Sequence, residues 1–148
     1  MRTAGRGQKT LLVVDDDASL RGAIADILRE TGYDVLEAAS GTEGLHLAER
    51  HAPDAILLDL AMPGRSGLEV LKELNQREPT RDIPVVIASA YALALLGDHP
   101  RGADGVIQKP FDLAELLARV QRVASGKPAA APDEGRFPAA QAAALRRR

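Results

Sequence analysis

Two kinds of hydrophobic run alternate along this chain. Near-continuous apolar stretches stand at 11–15 (LLVVD), 55–58 (AILL) and 84–88 (PVVIA), with shorter ones at 33–38 and 105–108. Apolar runs of this length, without alternation, predict strands buried on both faces. Between them apolar residues recur at helical spacing. Leu20, Ile24, Ile27 and Leu28 form one such set, capped by Asp17 or Ser19 and closed by Gly32. Ser40 and Glu43 form a capping box for a second helix, which carries Leu45, Leu47 and Ala48 and ends near Arg50. Leu68, Leu71 and Leu74 mark a third, running to about Gln76. Residues 77–82 read as a polar connection. A weak helix is expected over 90–100, cut short by Gly97 and Pro100. Asp112 caps the last helix, whose buried side carries Leu113, Leu116, Leu117, Val120 and Val123.

Strand and helix thus alternate five times over about 115 residues. Parallel strands joined by right-handed crossovers predict a doubly wound α/β domain, a five-stranded parallel sheet with helices on both faces. Reactive groups in such folds collect beyond the carboxyl ends of the strands.

Composition adds a division of the chain. Its 148 residues and 45 % hydrophobic content suit one domain with its own core. Residues 1–9 read as a flexible basic N-terminus and residues 10–124 as the folded domain. Residues 125–148, rich in Ala, Pro and Arg, read as a flexible tail. The folded part is acidic: 11–124 holds eleven basic against nineteen acidic residues, while each end is basic. An acidic domain argues against direct nucleic-acid binding, which needs a basic face. Arg146–Arg148 reads as a solvated tail end. No apolar run is long enough to span a membrane, and the N-terminus lacks a signal-like apolar stretch. Cysteine is absent, which excludes disulfides and thiolate metal sites, and a cytoplasmic setting is expected. Met1 looks native, so a stand-alone domain is expected.

The chemistry gathers at the predicted strand ends. Asp15, Asp16 and Asp17 follow the first strand and Asp59 ends the third. Adjacent parallel strands lie roughly 4.8 Å apart, so these carboxylates can share one hard cation such as Mg²⁺. Asp17 is better placed to cap the first helix. Ser89 ends strand four and Lys109 follows strand five, a hydroxyl and an ammonium suited to phosphoryl oxygens. Pro110 makes the bond after Lys109 a candidate for the cis isomer, which the sequence leaves open. Other chemistries lack their signatures. No GxxxxGK[ST] phosphate loop and no GxSxG elbow occurs. Asp59-Leu60-Ala61 lacks the second acid of DxD phosphatases, and His46, His51 and His99 have no mutual metal spacing.

Four motifs in order, VVDDD at 13–17, ILLDLAMPGRSG at 56–67, VVIASA at 85–90 and DGVIQKPF at 104–111, resemble the response-regulator receiver family of two-component signalling, including its small chemotaxis-type members. The resemblance spans about 10–124 and implies the flavodoxin-like (βα)5 receiver fold. It implies Asp59 as phosphoacceptor and Asp15, Asp16, Asp59 and the Ala61 backbone carbonyl as Mg²⁺ ligands. Ser89 matches the family's switch hydroxyl, Lys109 its lysine and Ala90 a small residue beside the site. The implied donor is a phosphohistidine on a sensor histidine kinase or histidine phosphotransfer protein. The implied output is contact with a downstream protein target or a homodimer, through the face of the fourth helix, fifth strand and fifth helix. Such a protein is a self-phosphorylating and self-dephosphorylating switch rather than a turnover enzyme. The alternative is a phosphorylation-independent interaction module. Two features depart from the family. Val106 stands where Phe or Tyr is usual, and a β-branched side chain cannot act as an aromatic rotor. The segment between Ser89 and Lys109 is about two residues shorter than in the small chemotaxis proteins, leaving Leu93, Leu95 and Leu96 for core packing or a partner surface.

Overall fold

A computed structural model of the chain describes residues 8–62, 64, 66–90 and 102–125. The elements are β1 (Thr10–Val14), α1 (Ala18–Glu30), β2 (Asp34–Ala38), α2 (Gly41–His51), β3 (Ala55–Asp59), α3 (Gly67–Gln76), β4 (Val85–Ser89), β5 (Gly105–Gln108) and α4 (Leu113–Ala124). The five strands form one sheet in the order β2-β1-β3-β4-β5, and every neighbouring pair is parallel. The helix expected over 90–100, with Leu93, Leu95 and Leu96, lies outside the described residues, as do 1–7 and the segment from 126 onward.

Successive side chains of a strand point to opposite faces, and here both faces are apolar. Leu12, Val14, Ile56, Leu58 and Ile87 pack on one side with Leu45 and Ala48 of α2 and Val70, Leu71 and Leu74 of α3. Leu11, Val13, Leu57, Val86 and Ile107 pack on the other with Ile24 and Leu28 of α1 and Leu116, Val120 and Val123 of α4. This double burial is why the strands are continuous apolar runs, and it makes the fold doubly wound. β1 sits between β2 and β3, so the winding reverses there and opens a crevice at the carboxyl ends of those strands.

Helix starts follow the sequence closely. Asp17 is the cap of α1, its side chain accepting from the Leu20 amide, and Ser19 lies inside the helix. Ser40, Ser66 and Asp112 cap α2, α3 and α4 in the same way, and Glu43 returns a bond from the Ala39 amide. Helix ends follow it too, with α2 one residue longer than expected. α1 stops at Glu30 with Gly32 at φ +106°, and α2 runs to His51 with Ala52 left-handed at φ +45°. The connection over 77–82 is not merely polar. Thr80 is 1 % exposed, and its hydroxyl donates to the Leu74 carbonyl at 2.7 Å. A turn after a helix must satisfy that helix's last carbonyls, and a buried threonine does so here.

Candidate phosphoryl and metal site

Each chemical group reaches the site through a strand end. Asp15 directly follows β1, and its amide donates to the Ala38 carbonyl of β2 at 3.1 Å. Asp59 is the last residue of β3 and pairs in register with Ala88 of β4. Ser89, the last residue of β4, is completely buried and pairs with Gln108. Lys109 leaves β5, its amide donating to the Ser89 carbonyl at 3.0 Å. The Lys109–Pro110 peptide bond is cis.

These placements draw Asp15, Asp16 and Asp59 together. One carboxylate oxygen from each lies within 4.8 Å of the other two. Asp15 and Asp59 are buried, while Asp16 is exposed at the rim. The Lys109 ammonium stands 2.9 Å from Asp15 Oδ2 and 3.5 Å from Asp59 Oδ1. The remaining Asp15 oxygen accepts from the Asp17 amide at 2.9 Å. The Ala61 amide approaches Asp59 Oδ1 at 3.4 Å. Ser89 belongs to the same rim by register, one residue beyond the partner of Asp59. Asp17 faces solvent as a cap, away from the trio's role.

Burial raises the Asp59 pKa above its ordinary value. Lys109 acts in the opposite sense, and the nearby Asp15 charge adds to the rise. Burial by itself would depress Lys109, but its hydrogen bond to Asp15 and the charges of Asp59 and Asp15 outweigh that, leaving its pKa raised and the ammonium charged. Among the described residues, the Lys109 ammonium does not offset burial and the Asp15 charge at Asp59. Three converging carboxylates, two of them buried, are a donor set that fits a small hard cation.

Two contributors escaped the reading of the sequence. Gly67 opens α3, and a β-carbon there would lie 2.3 Å from the Asp59 carbonyl oxygen and 2.4 Å from the Leu60 α-carbon. The loop motif contained it, but its need for closeness is tertiary. Arg21 of α1 donates to the Asp15 carbonyl at 2.8 Å and to Glu37 of β2 at 3.2 Å. No local pattern links residues 21 and 37. Val106, the departure from the usual aromatic, is 3 % exposed and packs with the α2–α3 side of the core.

A doubly wound domain with an acidic trio and a lysine on one sheet rim is the architecture of phosphoacceptor signalling domains. The chain matches the response regulator receiver domain family over residues 11–121, and it belongs to that family. It is 34 % identical over 117 residues to the polar-differentiation response regulator DivK of Brucella ovis, covering 76 % of this chain and 94 % of DivK. It is 39 % identical over 113 residues to the DNA-binding dual master transcriptional regulator RpaA of Synechocystis sp., covering 75 % of this chain and 47 % of RpaA. The chain thus spans about half the length of curated relatives of the latter kind. Among solved structures it resembles the receiver domain of the sensor histidine kinase PA1611 from Pseudomonas aeruginosa PAO1, which has a magnesium ion coordinated in its active-site cleft. That match has a TM-score of 0.73 and 32 % identity, covering 80 % of this chain and 99 % of the other. The doubly wound parallel sheet expected from the strand and helix pattern, and the receiver fold that the family resemblance implied, are the fold found.

Proposed function

We propose that residues 10–124 are a phosphorylation switch in which Asp59 accepts a phosphoryl group from a phosphohistidine on a sensor histidine kinase or histidine phosphotransfer protein. The observation that carries this reading is the convergence of Asp15, Asp16 and Asp59 beside the Lys109 ammonium. An Asp59 carboxylate oxygen attacks phosphorus in line, a P–O bond forms, and the P–N bond to the imidazole breaks. The imidazole nitrogen keeps the electron pair. Lys109, already 3.5 Å from Asp59, pairs with one phosphoryl oxygen, and the Ser89 hydroxyl donates to another. Water later cleaves the acyl phosphate and restores the carboxylate.

Asp15, Asp16, Asp59 and the Ala61 carbonyl would hold Mg²⁺. Bound there, Mg²⁺ supplies charge compensation for phosphoryl oxygens facing clustered carboxylates. Movement of Ser89 and Lys109 toward the new phosphate tugs the ends of β4 and β5, which can bias a surface between two states. The readout is a protein contact, with a downstream target or a second copy, in the cytoplasm. The acidic charge of the folded part disfavours direct nucleic-acid binding.

The test is incubation with a small acyl-phosphate donor, with and without Mg²⁺, read by intact mass. Wild type should gain one phosphoryl group only with Mg²⁺, and Asp59→Asn should gain none. Absence of a Mg²⁺-dependent adduct at high donor concentration would refute the phosphoacceptor role and leave a phosphorylation-independent interaction module.

A further inference from the structure

Asp16 is the exposed member of the acidic trio, and what aims it is the backbone that leads into it. The carbonyl that leads into Asp16 is held by a side chain of α1. The Asp15 carbonyl accepts from Arg21 Nη1 at 2.8 Å, and the Asp17 carbonyl accepts from the Arg21 amide at 2.9 Å. The first bond fixes the peptide plane that leads into Asp16. The second is the first helical bond of α1, made by the backbone whatever side chain stands at 21.

The guanidinium is itself held from behind. Arg21 Nε donates to Glu37 Oε1 at 3.2 Å, and the other Glu37 oxygen lies 3.3 Å from Arg29 Nη2. Arg29 also donates to the Val35 carbonyl of β2. A chain of charges therefore runs from α1 to the end of β2 and back to the acidic loop. With 17 % of its side chain exposed, Arg21 is mostly shielded from water, so its bond to the carbonyl competes little with solvent. A planar fork with several fixed donors can grip a carbonyl and a carboxylate at once, which an ammonium does less well.

We propose that Arg21, braced by Glu37, is a positioning residue for the metal site: through the Asp15 carbonyl it sets the peptide plane that leads into Asp16 and so directs Asp16 toward Asp15 and Asp59. It touches neither phosphate nor metal. This inference rests on the metal reading above. Loss of an outer partner of a metal ligand typically weakens metal binding about 10- to 100-fold, and the exposed, backbone-aimed Asp16 places the expected loss at the lower end.

The experiment titrates the full chain with Mn²⁺ and reads free Mn²⁺ by electron paramagnetic resonance. Melting in excess EDTA is recorded alongside. Arg21→Ala should weaken Mn²⁺ binding about tenfold. Arg21→Lys, which keeps a donor but loses the fork, should recover part of that loss. Glu37→Gln should weaken binding about threefold while leaving Arg21 in place. Arg21→Ala binding within about twofold of wild type overturns the proposal, whatever its melting temperature. Should Arg21→Ala fail to fold, unchanged binding by Glu37→Gln overturns it instead. If wild type itself binds no Mn²⁺, the metal reading falls and this inference falls with it.

Discussion

Adding one methyl group at Gly67 should damage the domain more than its size suggests. The added β-carbon would meet the Asp59 carbonyl oxygen at 2.3 Å and the Leu60 α-carbon at 2.4 Å. Both are backbone atoms, so no rotamer change relieves the contact. Ordinary carbon contacts lie at about 3.5 Å or more, so α3 and the end of β3 must separate by roughly 1 Å. That strains the bond from the Gly67 amide to the Leu60 carbonyl, now 2.9 Å. Overpacking costs about 1–3 kcal/mol, and a lost hydrogen bond adds about 0.5–1.5 kcal/mol. Gly67→Ala should therefore destabilise by about 1.5–4.5 kcal/mol and lower Tm by roughly 6–18 °C. Gly22, within α1, is the control. Nothing lies within 4 Å of a β-carbon built there. Gly22→Ala should stabilise by about 0.5–1 kcal/mol through helix propensity. Thermal unfolding by circular dichroism measures both. Acyl-phosphate labelling of Gly67→Ala should slow about ten- to hundredfold, because Asp59 is displaced. A Gly67→Ala protein melting within about 2 °C of wild type would show that the approach of α3 to β3 imposes no steric limit at residue 67.

Other outcomes follow from the same structure. Burial raises the pKa of Asp59, so the fold holds its proton more tightly than the unfolded chain does. In EDTA this carboxylate therefore costs stability once pH rises above its ordinary value of 3.8, and the cost grows until pH passes its raised pKa. Asp59→Asn should melt higher than wild type at neutral pH, with the gap closing as pH falls toward that ordinary value. An equal gap at all pH values would contradict the burial argument. Thr80→Ala removes a buried donor from the Leu74 carbonyl and should cost about 1–3 kcal/mol in urea unfolding, without changing Mn²⁺ affinity. Ala52, at φ +45° after α2, is a left-handed non-glycine residue. Ala52→Gly should stabilise by about 1 kcal/mol, and a lower Tm would mean that the turn is not strained.

The sequence by itself determined much of this protein. Continuous apolar runs at 11–14 and 55–58 can be covered only from both sides, so a parallel sheet between helices follows from solvation alone. Caps at Ser40 and Asp112 place helix starts because they bond their own neighbours. Aspartates at strand ends must lie on one rim once the sheet is parallel, and this made Asp15, Asp16, Asp59 and Lys109 legible together. Tertiary structure alone decided what depends on distance between remote segments. Gly67 matters because of where β3 passes, Thr80 because of an unpaired helix end, and Arg21 because Glu37 of β2 lies beside it. A one-dimensional pattern records which residues prefer water or a cap. It does not record which carbonyl a guanidinium will reach, because that is settled only when α1 and β2 pack on the same edge of the sheet.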